Sequence, residues 1–237
     1  MKQRIWELDA FRGLCVLGMV AVHFTFDLVD LYGLVNWRYP AWFSFLQDWG
    51  GTLFLLISGI CVTLGSRCIR RGLVVFSCGL LCTGATWGMW ALGYSSEGMI
   101  IWFGVLHCLG LCMLLWPLFS RLPRWLLIVA GVAMAAVGLW LNNSVLVTFP
   151  WLVPLGFLYP GFSSGDYFPL LPHLGFFLLG GALGKSLYRE KKSLFPRVNA
   201  RNPFLRFLQF CGKQSLWIYL LHQPILTGLF TIITLLK

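Results

Sequence analysis

Seven runs of apolar residues, each long enough to cross a bilayer as a helix, dominate this chain: 11–33, 46–66, 72–92, 100–119, 124–141, 170–188 and 214–236. A hydrocarbon layer of roughly 30 Å takes about 20 helical residues, and within it every backbone N–H and C=O must find a partner away from water. The sequence therefore predicts an all-α polytopic membrane helix bundle with about seven transmembrane helices and little chain left for a soluble domain. Composition agrees, with 58% of residues apolar, only 11% charged, and 20 Phe and 12 Trp. The first run follows a basic start, as a signal peptide would, but Glu7, Asp9 and Arg12 crowd that start and no small-residue cleavage site follows. It is expected to stay as the first helix. No repeat or linker divides the sequence, so residues 1–237 are read as a single transmembrane domain.

Orientation follows from the basic residues. Sixteen of the 18 Lys and Arg fall in the amino terminus, the 67–71 loop, the 121–124 loop and the 185–213 loop, which seven helices place on one side; Arg38 and Lys237 lie opposite. The positive-inside rule then puts the amino terminus in the cytoplasm and the carboxyl terminus outside. The net charge of +10 reads as a topology signal, and nucleic acid is not an expected partner.

Eight cysteines all sit in predicted helices or at their inner ends, and Cys78/Cys82 and Cys108/Cys112 have one-turn spacing, not C-x-x-C. They read as small packing residues, with no outer disulfide and no metal expected. The outer segment 142–169 is aromatic but broken by Pro150, Pro154, Pro160 and Pro169, so it is expected to lie in the interface or dip back toward the bundle. The inner segment 189–213, basic and holding Pro196 and Pro203, reads as a solvated loop near anionic lipid. Close helix contacts are expected at Gly50–Gly51 and along Gly180 to Gly184.

The first run carries the most information. At 3.6 residues per turn, Asp9, Arg12, His23, Asp27 and Asp30 share one face with Val16 and Met19. A charged side chain near the bilayer centre costs at least ~2.5 kcal/mol, so this face must line a protein interior or a wet cavity. Asp9 is expected to cap the helix and pair with Arg12. His23 lies about 16 Å further along, and Asp27, one turn on, is placed to orient its imidazole or stabilise the protonated form.

The remaining histidines extend the pattern. His107, His173 and His222 all fall at mid-membrane to outer depths, alongside Asp27, Asp30, Asp48, Glu97 and Asp166, while arginines collect at the inner face. That polarity suits an anionic cytoplasmic donor and chemistry deeper in the membrane. Acyl-coenzyme A fits, with its phosphates against Arg12, Arg67, Arg70 or Arg71 and its long pantetheine arm carrying a thioester toward His23. Asp30, Asp166 and His173 are the candidate acceptor-binding groups at the outer end. A proton-coupled or small-molecule transporter would use the same buried groups, though no repeat of the kind common in transporters is evident. Electron transfer through haem held by paired histidines is a third reading.

Five motifs, "RIWELDAFRGLCVLGMVAVHFTFD", "LFLLISGI", "FGVLHCLGL", "DYFPLLPHLGFFLLGGALG" and "GKQSLWIYLLHQPI", resemble in this order the bacterial branch of the heparan-α-glucosaminide N-acetyltransferase catalytic-domain family, within the transmembrane acyltransferases. A looser likeness is to bacterial integral-membrane O-acyltransferases. The resemblance implies transfer of an acetyl group from cytoplasmic acetyl-CoA to an amino or hydroxyl group of an extracytoplasmic sugar, in the bacterial inner membrane. It carries a D-x-x-R-G role to Asp9, Arg12 and Gly13, an H-x-x-x-D role to His23 and Asp27, and "YLLHQP" to Tyr219, His222, Gln223 and Pro224, with Gln223 joining the acceptor-binding candidates. The base remains open among His23, His222 and His107. The partners implied are the lipid bilayer, the acyl-CoA and the sugar acceptor; a homodimer is left open.

Overall fold

The structure, a computed structural model, describes residues 4–236. Eight α-helices occur among them: α1 (Trp6–Phe26), α2 (Ala41–Leu64), α3 (Cys68–Ala91), α4 (Val105–Ser120), α5 (Arg124–Ser144), α6 (Leu170–Leu187), α7 (Pro203–Lys213) and α8 (Ser215–Leu235). A π-helical turn, Asp27–Leu31, continues α1. All seven apolar runs become helices. Six of these are long and apolar enough to span a membrane, and α4, at 16 residues, is apolar but shorter. No β-strand forms among the described residues; isolated bridges join Phe103 to Tyr167 and Leu146 to Leu158. Lys2 and Lys237, assigned above to the inner and outer sides, lie outside the described residues.

The chain divides into two compact units, one taking residues up to Phe54 and from Lys191 onward, the other Leu55–Glu190. In the first unit α1 packs on α7 and α8. The α1–α7 crossing is a backbone contact: a Cβ at Gly13 would lie 1.9 Å from the Leu208 carbonyl oxygen, and one at Gly212 would lie 1.8 Å from that of Asp9. Only glycine fits at either position.

Helix α7 corrects the expectation of a solvated loop over residues 189–213. Asn202 caps it by accepting the Phe204 N–H at 3.0 Å, and Pro203 at the first position needs no partner for an N–H it lacks. Leu208, Cys211 and Gly212 are buried against α1. The stretch ahead of it is tied down as well, since the Glu7 carboxylate accepts from Ser193 Oγ at 2.9 Å and from the Leu194 N–H at 2.8 Å. Eleven residues are too few to span a bilayer, so a search for spanning runs passes over this helix.

In the second unit the close approach expected of small residues lies at α2–α6. A Cβ at Gly59 would sit 2.0 Å from Phe177 O and one at Gly180 1.9 Å from Leu56 O. At Gly50, in the first unit, where such a contact was expected, an added Cβ would meet only Leu46 of its own helix among the described residues. Helix α3 packs on α4, and α5 on α6. Segment 142–169 forms no spanning helix; it holds a short 3-10 turn, Pro150–Leu155, and the Tyr167 hydroxyl donates to Val153 O at 2.8 Å. Burial raises the Tyr167 phenol above its usual range, which keeps it a neutral donor. All eight cysteines are free thiols.

Candidate active site

The polar face of α1 meets α8 within the first unit. Asp9 lies inside α1, whose cap is Ile5, so it does not cap the helix as expected. A cap has non-helical backbone angles, and here the helix starts three residues earlier. Its pairing with Arg12 does form: Arg12 Nη1 lies 3.7 Å from Asp9 Oδ1, and Arg4 Nη1 lies 3.8 Å from Oδ2. Arg12 Nη2 also donates to the buried Ser215 Oγ at 2.9 Å. Gly13 and Gly212 bring α1 and α7 together beside this contact, and α8 begins at Ser215 directly after α7. Asp9 is thus shared between two guanidinium groups at this end of the face.

Eleven residues and about 16 Å along α1, His23 Nδ1 lies 2.7 Å from His222 Nε2. The ring planes are 12° apart and the centroids 4.8 Å apart. That separation is close to the nitrogen–nitrogen distance plus two ring radii, so the imidazoles meet edge to edge with nearly parallel planes, not face to face. The hydrogen-bond network assigns the tautomers. His222 Nδ1 lies 2.6 Å from the Tyr219 carbonyl oxygen, which can only accept, so Nδ1 carries the proton. In the neutral ring Nε2 is then an acceptor, and His23 Nδ1–H donates to it. His23 Nε2 is left with its lone pair and has no protein partner among the described residues.

Asp27 was expected to orient His23. Instead Gln223 Nε2 donates to both of its carboxylate oxygens, at 3.1 and 3.0 Å, and Asp27 is fully buried. His23 is oriented by His222. Gln223 Oε1 is buried and unpartnered. The π turn that starts at Asp27 rotates the chain less per residue than an α-helix does, so Asp30 leaves the shared face. Asp30 is exposed and accepts from the Tyr39 hydroxyl. Tyr32, at the end of the turn, fixes it to α8 through Thr227 O at 3.2 Å and Thr231 Oγ1 at 3.1 Å.

In the second unit, His107 is buried with both nitrogens engaged. Nδ1 accepts from the Gly104 N–H at 3.2 Å, and Nε2 lies 3.3 Å from Thr83 Oγ1. Thr83 gives its own proton to Ile101 O at 2.6 Å, so His107 Nε2 is the donor in that pair. No lone pair remains, and the ring closes the start of α4. Asp166 serves the same helix end, Oδ2 accepting the Val105 N–H at 3.0 Å. His173 Nδ1 donates to Pro169 O at 2.7 Å in the first turn of α6. Arg67, Arg70 and Arg71 are exposed at the start of α3.

The structure thus gathers Arg12, His23, Asp27, His222 and Gln223 along α1 and α8, and leaves His107 and Asp166 with work at a helix terminus. Reading the sequence missed Ser215 and Gly212. Gly212-x-x-Ser215, small residues at the entry to the last apolar run, was the available signal. Among the described residues no group of three or more His, Cys, Asp or Glu is placed to hold a metal ion.

A base with a defined lone pair, oriented through its other nitrogen, suits proton removal from an amine or hydroxyl nucleophile. No curated protein and no solved structure matches the chain. A family model described as heparan-alpha-glucosaminide N-acetyltransferase, catalytic, matches residues 4–224, which takes in the whole polar line from Arg12 to Gln223. The protein therefore belongs to the heparan-alpha-glucosaminide N-acetyltransferase catalytic family, a family of membrane acetyltransferases.

Proposed function

We propose that the whole chain works as one acetyltransferase domain of the bacterial inner membrane, taking the acetyl group from cytoplasmic acetyl-CoA and delivering it to an amino or hydroxyl group of an extracytoplasmic sugar. The observation that carries the chemical part is the His23–His222 contact at 2.7 Å, with His222 fixed by Tyr219 O, because together they leave the His23 Nε2 lone pair free to act as general base. The acceptor N–H or O–H gives its proton to Nε2 as its heteroatom attacks the thioester carbonyl. The C–S bond then breaks, the proton held on Nε2 passes to the sulfur, and coenzyme A leaves as a thiol with the base restored. His222 holds the base in register and touches no reacting atom.

Arg12 is the donor-side anchor in this reading. It is held by Ser215 and shares Asp9 with Arg4, so a guanidinium of fixed position is available for a phosphate. Gln223 Oε1, buried without a partner, supports a donor contact from the acceptor, since an unmade buried bond costs about 1–3 kcal/mol and a substrate hydroxyl or amine would supply it. The placement of sixteen cations on four segments supports the cytoplasmic amino terminus.

Inverted membrane vesicles test donor, acceptor and sidedness together. Radiolabelled acetyl-CoA supplied outside should label an amino sugar or glycan trapped inside, with no label retained on the protein. Label that stays on the protein, or that reaches only acceptors on the donor side, contradicts the proposal.

A further inference from the structure

The second unit holds a cleft of about 410 Å³ where the end of α4, the start of α5 and the last turn of α6 come together. Leu122, Pro123, Arg124, Lys185 and Arg189 line it. Three of these five are cations and none is acidic. Lys185 is fixed there, because its Nζ donates to Ser120 O at 2.6 Å and Leu122 O at 2.8 Å, the carbonyls that close α4. Those two bonds leave its charge uncancelled. Arg124 and Arg189 are exposed, and neither forms an ion pair among the described residues. Pro123 caps α5 without a side-chain bond to its first N–H groups, which adds the positive end of a 21-residue helix.

Like charges gathered around one concavity repel until a counter-charge arrives, and arginines fit the tetrahedral oxygens of a phosphate ester with paired N–H groups. The cleft volume lies in the range of small-ligand sites, about 300–1,000 Å³. Trp125, 63% exposed beside the lining, is the kind of residue that settles at headgroup level. We infer that this cleft binds a phosphate ester, which reaches it either as the headgroup of an anionic phospholipid or as a phosphate of coenzyme A. The coenzyme A source rests on the proposed acetyl donor and the headgroup source does not, and the test is read as binding without turnover.

The full chain in nanodiscs, as wild type and as the Arg124→Gln/Arg189→Gln double variant, separates the two sources. Lys185 is left in place because it holds the end of α4. One arm measures coenzyme A affinity in neutral lipid, and the other the preference for spin-labelled phosphatidylglycerol over phosphatidylcholine. The double variant is expected to lose about tenfold or more in at least one arm, as charge-assisted bonds are removed, with unchanged thermal unfolding. Loss in the lipid arm assigns a headgroup, loss in the coenzyme A arm assigns the donor, and loss in both supports the shared phosphate chemistry. Inorganic pyrophosphate should also compete on the wild-type protein. Equal binding by wild type and variant in both arms, or no competition by pyrophosphate, overturns the site.

Discussion

Replacing Gly212 with alanine is predicted to part α7 from α1 and to loosen Arg12. The new Cβ would lie 1.8 Å from Asp9 O and 3.0 Å from Gly13 N, whereas ordinary contact begins at 3.4 Å, so the backbones must separate locally by about 1.6 Å (3.4 − 1.8). Both atoms belong to the α1 backbone, and no flexible side chain can give way. Ser215 follows three residues later, and a shift of that size carries its Oγ, now 2.9 Å from Arg12 Nη2, beyond hydrogen-bond range. Overpacking of this kind costs about 1–3 kcal/mol. The freed guanidinium should also weaken coenzyme A binding. Thermal unfolding of the detergent-solubilised protein measures the first effect and calorimetric titration the second. Gly18→Ala and Gly228→Ala are matched controls, since a Cβ at either meets nothing within 4 Å and alanine favours a helix by up to about 1 kcal/mol. Gly212→Ala unfolding at the same temperature as those controls would refute the packing argument.

Three further outcomes are expected. His222→Ala should lower turnover by roughly 10–10²-fold, less than loss of the base itself, because His23 remains but its tautomer is no longer fixed; steady-state kinetics that match wild type would remove His222 from the mechanism. Asp27→Asn should change turnover by less than about tenfold, since the Asp27 carboxylate meets Gln223 and not His23; a loss as deep as that of His23→Ala would place the charge in the chemistry. Arg12→Ala should weaken coenzyme A binding more than Arg38→Ala, and calorimetry giving both variants equal affinity would dismiss the donor anchor.

The helices were legible because hydrophobic length is a property of the sequence alone. The face of α1 was legible as far as its period stayed α-helical, which is why Arg12 and His23 kept their places and Asp30 did not. A π turn depends on what packs against the helix end, here Tyr32 on Thr227 and Thr231, and no local composition announces it. The partner of His23 was hidden for a related reason. One helix offers Asp27 as its neighbour, whereas His222, 199 residues away, becomes the partner only when α1 and α8 pack. The same holds for His107, which a list of intramembrane histidines ranks with His23. Its two bonded nitrogens appear only once Gly104 and Thr83 are set around it. Family motifs reached further, since "YLLHQP" pointed to His222 and Gln223 without the packing.

The most direct measurement is turnover and coenzyme A affinity of His23→Ala side by side. His23 Nε2 is the one imidazole lone pair that the α1–α8 contact leaves unpartnered in the first unit, while Arg12 lies about 16 Å away along the same helix. Removing the base should therefore lower turnover by roughly 10²–10⁴-fold and leave coenzyme A affinity nearly unchanged. Near-normal turnover in His23→Ala, with activity abolished instead in His107→Ala, would contradict the account.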